Sequence, residues 1–402
     1  MHRFEPFPGL RFSRSHISCL DDVVCPPYDV ITPEARAALK ARNPSNIVRL
    51  EMPDDDPDDP YRGAATLLDA WRDGGVLQRD HSPALYGYRM SWTAADGTER
   101  RTVGVIGALR LDSPDDIEKP GILPHEQTMP KARTDRLALL RATRANLSPI
   151  WCLSPTKGLS DLVPAPAHPV ECAYDAEGVC HQLWPIRDEE PVAAICDAVA
   201  QGAVLIADGH HRYETAAKFR DLERASGRGR DGDHELVMAL VVELCETELA
   251  VQAIHRLVRV PGGHDLVGTL EPWLELSPTE PADATIEARM AAAGSMAVVT
   301  KAGTWLAKPR SELVDRATHD VDASRVDVAL ADLPGHEVTY QHGWDLCVTE
   351  VEEGRAEAAI LLRPPSVAQI ESIAHGADRM PPKTTFFWPK PLTGMVVREL
   401  ID

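Results

Sequence analysis

The run VLIADGHHRYETAAKF, residues 204–219, sets a carboxylate, two imidazoles and a guanidinium within five positions. AVLIAD has the unbroken apolar character of a buried strand, and RYETAAKFRDL combines helix formers with helical apolar spacing. Their junction therefore lies at the carboxyl end of a strand and the amino end of a helix. Unpaired backbone amides and the positive end of the helix dipole favour an anion there. Gly209 lets the chain turn sharply and a ligand approach closely. Arg212, in the first helical turn, offers a planar fork suited to phosphate oxygens, and His211 a further donor. A carboxylate facing a phosphate needs a proton or cation between them, so Asp208 is a candidate general base or magnesium ligand. An Asp at a helix start is also an ordinary N-cap, and Asp-Gly an ordinary turn.

Other polar blocks could serve such a site. His125 and Glu126 share a loop with Thr128, Lys131 and Arg133, and Glu126 could take a proton from an attacking hydroxyl. Tyr28 and Asp29 follow a proline pair and directly precede a helix start, where an Asx-type turn would also explain them. Lys383 and Lys390 flank an aromatic strand; Lys383 is taken as a candidate phosphate cation, against the reading of edge lysines that prevent strand pairing. Asn146 and Ser148 read as a helix end. His125, His210 and His211 could join Asp208 around a metal, although adjacent histidines on a turn diverge.

These residues need a scaffold. Thr32, Pro33 and Glu34 open a helix that Asn43-Pro44 stops. VVCPPYDVI and SNIVRLEM read as β-like runs, and ALYGYRMSW with RTVGVIGALRL as a hairpin across ADGTE. Helices are expected from Ala64 to Trp71, from Thr134 onward and over PVAAICDAVAQG; ELVMALVVEL is an apolar strand. Beyond about residue 262 a separate α/β region is expected, with strands at AVVTKAG and AEAAILLRPP and a helix at SVAQIESIAHGA. The expected domains are 1–260 and 261–402.

Composition narrows the function. The 402 residues suit two or three packed units. Lys and Arg number 42 against 62 Asp and Glu, a net charge of -20, which disfavours nucleic acid and anionic membranes while leaving room for one basic pocket. The eight cysteines form no C-x-x-C pair and read as reduced, scattered, mostly buried thiols. MHRFEPFPGLRF lacks the pattern of a signal peptide, and no apolar run is long enough to span a bilayer, so a cytoplasmic location is expected.

Asp-Gly-His-His-Arg before a helix resembles the phosphate-binding signature of the ParB/sulfiredoxin superfamily, whose fold the free-serine kinases share. The resemblance implies that Gly209, His211 and Arg212 hold nucleotide phosphates. It places His210 at the catalytic position that sulfiredoxins fill with cysteine, so the thiol chemistry is lost. A longer set of blocks, PPYDVI (26–31), HEQT (125–128), DRLALLRATRANLSPI (135–150), ADGHHRYETA (207–216), HRLV (255–258) and MPPKTTFFWPK (380–390), is similar to the domain of unknown function 1015 family. That family often carries Lys-Glu where this chain has Arg133-Thr134, which removes a glutamate of possible catalytic use. Its association with serine-biosynthesis genes implies a phosphoserine-related step.

The expected fold is mixed α/β, a ParB/sulfiredoxin-like core in residues 1–260 with a C-terminal α/β unit. The expected function is phosphoryl transfer from ATP, ADP or CTP, with Mg2+, to a small hydroxyl metabolite, in the manner of a free-serine kinase. Asp208, Glu126 and His210 are the catalytic candidates. Gly209, His211, Arg212, His125, Lys383, Tyr28 and Asp29 are the binding candidates, and Asp208 the metal ligand. The alternatives are a nucleotide-binding regulatory switch and a metal-dependent phosphatase acting on a phosphoserine-like ester. A nucleotide and a small molecule are the expected partners, without nucleic acid or membrane; the oligomeric state stays open.

Overall fold

In the computed structural model, residues 3–401 are described except for 55–58, 95–96, 114–120, 125–129, 167, 169, 171, 261–264, 376–380 and 382. The chain forms two compact units. One comprises Met1–Pro124, Thr128–Leu249 and Pro389–Asp402; the other His125–Gln127 and Ala250–Trp388. The sequence pattern suggested a single cut at residue 260; the long strand from Ala250 already belongs to the second unit, and the segment after Trp388 returns to the first.

The first unit is built on a mixed sheet. In chain order its described strands are β1 (Phe4–Glu5), β2 (Leu85–Thr93), β3 (Glu99–Arg110), β4 (Ile122–Pro124), β5 (Ile150–Ser154), β6 (Cys172–Tyr174), β7 (Cys180–Ile186), β8 (Val204–Asp208) and β9 (Leu236–Glu243). They lie in the order β4-β8-β5-β9-β3-β2-β7-β6, with β1 paired to β3. β8 runs parallel to β4 and antiparallel to β5, and β9 runs parallel to β5. β2 and β3 form the expected hairpin. The helices that matter for the site are α1 (Pro33–Arg42), α2 (Pro60–Asp73), α3 (Pro130–Thr143), α4 (Glu189–Ala200) and α5 (His210–Ala225). Thr32 caps α1, its hydroxyl accepting from the Ala35 amide at 3.2 Å.

Two expected β runs are not strands. Ile47, Val48 and Leu50 are all fully buried, a grouping that suits a helical turn rather than two-residue alternation. Buried Asn46 fixes that turn, Val48–Glu51: its side-chain oxygen accepts from the Val48 amide, and its amide group donates to the carbonyls of Asp22 and Val24. In VVCPPYDVI, Cys25 makes one β-bridge to Thr393, and a 3-10 turn follows at Tyr28–Val30. Cys172 and Cys180, on paired strands β6 and β7, are joined as a disulfide, which corrects the expectation that all thiols are free.

The two larger apolar clusters among the described residues of the first unit support the site. One packs Ile150, Val204, Ile206, Ala216, Val237 and Trp184 around the sheet; the other joins Ile47, Leu50, Leu68, Trp71, Leu139 and Val397. The second unit has its own sheet, with β10 (Ala250–Arg259), β11 (Leu274–Thr279), β12 (Met296–Thr300), β13 (Gly303–Pro309), β14 (Glu337–His342), β15 (Ala358–Leu361) and β16 (Thr385–Trp388). Their order is β11-β13-β12-β15-β10-β14, with β16 also on β10. The expected mixed α/β class is observed in both units. Among the described residues no helix is long and apolar enough to cross a membrane.

Candidate functional site

Residues 204–207 of β8 are buried, so Asp208 is the first side chain of that strand to emerge at its carboxyl end. Gly209 follows with φ 91° and ψ 28°, left-handed backbone that a side chain would strain. A Cβ there would also stand 3.0 Å from the Arg212 guanidinium, which packs over the glycine. α5 begins at His210, and Gly209 gives it no side-chain cap. The strand, turn and helix junction expected from the sequence is present.

The charges at this corner are arranged around Asp208. Lys390 Nζ lies 2.5 Å from one carboxylate oxygen and Arg212 Nη2 2.6 Å from the other. The exposures of the Asp208, Lys390 and Arg212 side chains are only 15%, 13% and 11%, so the pairs are shielded from solvent. Burial opposes ionisation of Asp208, but Lys390 and then Arg212 overcome it, and the carboxyl is held well below the usual carboxylate range. Burial likewise opposes the charge on Lys390; Asp208 and Asp29 reverse that and raise its pKa. Asp29 sits 3.3 Å from the ammonium on its more exposed side. Arg212 Nη1 donates to the Ser148 hydroxyl at 3.1 Å and to the Pro149 carbonyl.

A second charged layer lies beside the first. Arg136, from α3, donates to the Glu51 carbonyl at 2.8 Å, reaches its carboxylate at 3.3 Å and pairs with Asp135 at 2.6 Å. Its guanidinium also stands 4.4 Å from the centre of the Tyr28 ring. Glu51 is 3% exposed; burial raises its pKa, against the pull of Arg136 and Arg212. Burial raises the Tyr28 hydroxyl too, which keeps it a donor. Glu51, Arg136, Ser148, Arg212 and Thr215 line a small cavity of about 50 Å³. Arg212 Nε and Thr215 Oγ1, both buried, have no hydrogen-bond partner among the described residues.

Of the residues singled out in the sequence, Asp208, Gly209, Arg212 and Asp29 meet at one corner, and Tyr28 stands in the adjoining layer. His210 and His211 open α5, His210 being buried. Glu126 and His125 lie outside the described residues. Lys383 belongs to the second unit, where its carbonyl accepts from Arg256; the lysine at Asp208 is Lys390. Sequence reading also missed Glu51, Arg136 and the bond to Ser148. The signal for Arg136 and Lys390 was present, since both fall in the quoted blocks DRLALLRATRANLSPI and MPPKTTFFWPK. Asn146 is structural: its side-chain oxygen accepts from the Met238 amide and from Arg398.

Two roles expected of Asp208 change with this geometry. A carboxylate so strongly held in its ionised form is a weak proton acceptor, which disfavours it as general base. With Lys390 on one oxygen and Arg212 on the other, a metal could bind Asp208 only by displacing a cation. Among the described residues no group of three or more His, Cys, Asp or Glu is placed to hold a metal.

The model of the family described as protein of unknown function (DUF1015) matches residues 4–329. The chain belongs to that family. In this DUF1015 protein the match spans the whole corner except Lys390. No curated protein matches the chain. Among solved structures it is similar to a conserved hypothetical protein from Pyrococcus furiosus, with 12% identity over 70% of this chain and 92% of that one and a TM-score of 0.37. A free serine kinase in complex with AMP has 14% identity over 66% and 83%, with a TM-score of 0.36. SbnI with C-terminal truncation from Staphylococcus aureus has 14% identity over 72% and 85%, with a TM-score of 0.38.

Proposed function

We infer that the corner binds the phosphates of a nucleotide and that the protein transfers a phosphoryl group to a small hydroxyl metabolite, serine being the first acceptor to try. The observation that carries this reading is the clasp of Asp208 between Lys390 and Arg212 beside the amino end of α5. The two cations are held in place before ligand arrives, and a phosphate oxygen can share them without moving either far. Preorganised charge of this kind is the main resource of phosphoryl transfer, where positioning and neutralisation do most of the work. The first-turn amides of α5 and the imidazole of His211 supply further donors. Asp208 then orients Arg212 and Lys390, and Glu126, which lies outside the described residues, is kept on its sequence alone as the proposed acceptor of the attacking hydroxyl's proton. Both oxygens of Asp208 are paired, so it does not suit a resident magnesium ion.

The test is a thermal-shift screen of the full chain against ATP, ADP and CTP, followed by transfer of labelled phosphate to a panel of amino acids and sugars. The expected result is a nucleotide-dependent shift and a labelled product, both lost in Arg212→Ala. All three nucleotides left intact, with no shift, would sink the proposal. The second reading is a nucleotide-binding regulatory switch, in which Asp208 serves only to hold Arg212 and Lys390. Stoichiometric nucleotide binding without turnover would select that reading.

A further inference from the structure

We propose that the first unit carries a second small-molecule site, separate from the Asp208 corner, for an organic anion with an aromatic or apolar body. A cavity of about 390 Å³ is lined by Arg11, Arg14, Arg187 and His168 together with Phe12, Leu20, Val170, Trp184 and Met395. That volume falls within the range of ligand pockets. Among the described residues its lining contains no Asp or Glu, in a chain whose net charge is -20. Positive charge collected at one concave place on an acidic protein must be held there against the general field, and the structure shows how.

Asp80 is the device. Its side chain is 9% exposed and receives Arg11 at 2.5 Å and Arg187 at 3.2 Å, while the Tyr86 hydroxyl donates to it at 2.8 Å. One carboxylate thus positions two guanidiniums and neutralises one of them, and Arg14 also lines the cavity. Arginine forks match carboxylate and phosphate oxygens equally well, so the anionic group is of either kind. The opposite wall is rigid and apolar. Trp184 lies so close over Gly87 that a Cβ there would meet its ring at 2.3 Å, and its indole donates to the Pro164 carbonyl at 2.9 Å. Trp184 belongs to the sheet cluster, whereas Phe12 packs on the second cluster, so the cavity opens where the two cores of the unit face each other. An apolar or planar body fills that seam while its charged end meets the arginines.

The site is distinct from the phosphate corner. Trp184 and Arg187 lie on and just after β7, five strands from β8 in the sheet order, roughly 24 Å at ordinary strand spacing. No lining residue is shared with the Asp208 clasp.

The test is calorimetric titration of the full chain with phenyl phosphate and benzoate, with inorganic phosphate as the control that lacks a body. At least one of the two organic anions is expected to saturate, and the stronger of them identifies the charged group. Inorganic phosphate is expected to bind at least about tenfold more weakly. Arg14→Glu alters an exposed side chain, and Arg187→Gln leaves Arg11 on Asp80; each is expected to weaken binding about tenfold. The proposal is overturned if no organic anion saturates by about 10 mM. Binding unchanged in both arginine variants, or equal affinity for inorganic phosphate, would also overturn it.

Discussion

Among the described carboxylates that are held between two cations, Asp208 and Asp322 are built differently. In the second unit Asp322 opens the helix Asp322–Leu330 with a side chain only 3% exposed. Arg363 bonds to it at 2.7 and 2.8 Å and adds its backbone amide at 3.1 Å; Arg325 bonds at 2.9 Å. Planar forks and a backbone donor leave that carboxylate little to gain from exchange. Asp208 instead holds a lysine, a point charge on a flexible stem, and one edge of an arginine. It also stands at a strand end beside a left-handed glycine and a helix start. A carboxylate between two cations does not by itself mark a site; the lysine partner and the local backbone separate the two cases.

Asp322→Ala should therefore give the largest loss of stability, about 3–5 kcal/mol by denaturant unfolding, because it strands two arginines. Asp208→Ala should cost clearly less, and equal losses would erase the distinction. Lys390→Met is expected to lower phosphoryl transfer about 100- to 1000-fold, with nucleotide binding weakened and the fold retained by circular dichroism. Gly209→Ala should cost about 1–2 kcal/mol, from the φ of 91° and the crowding of Arg212.

The smallest effect is the pH dependence of the Asp208 clasp. A carboxyl whose folded pKa is depressed contributes stability that is fully present above its unfolded value and is lost as pH falls through the folded one. The stability difference between parent and Asp208→Asn should hence stay constant above about pH 5 and shrink progressively below about pH 4, in acid-unfolding curves. A difference that grew in acid would contradict the clasp.

The strand, turn and helix around Asp208 were legible because their signals are local: an apolar run, a glycine and a helical period. The hairpin β2–β3 and the cap at Thr32 were legible for the same reason. Lys390 was not, because its role depends on a partner 182 residues away that no local pattern reports. Nor was Glu51, whose importance arises from burial against Arg136 rather than from its neighbours in sequence. The turn at Val48–Glu51 was misread as a strand because Asn46, a side chain bonding across to Asp22 and Val24, overrides the β-branched character of the run.

The insertion of the second unit between the two halves of the first has a consequence for biogenesis. During translation at 5–20 residues per second, Asp208 leaves the peptidyl-transfer centre roughly 10–35 s before Lys390 is even polymerised. Lys390 is thus the last member of the corner to be made, and anion affinity that depends on it can mature only after the intervening unit has been synthesised.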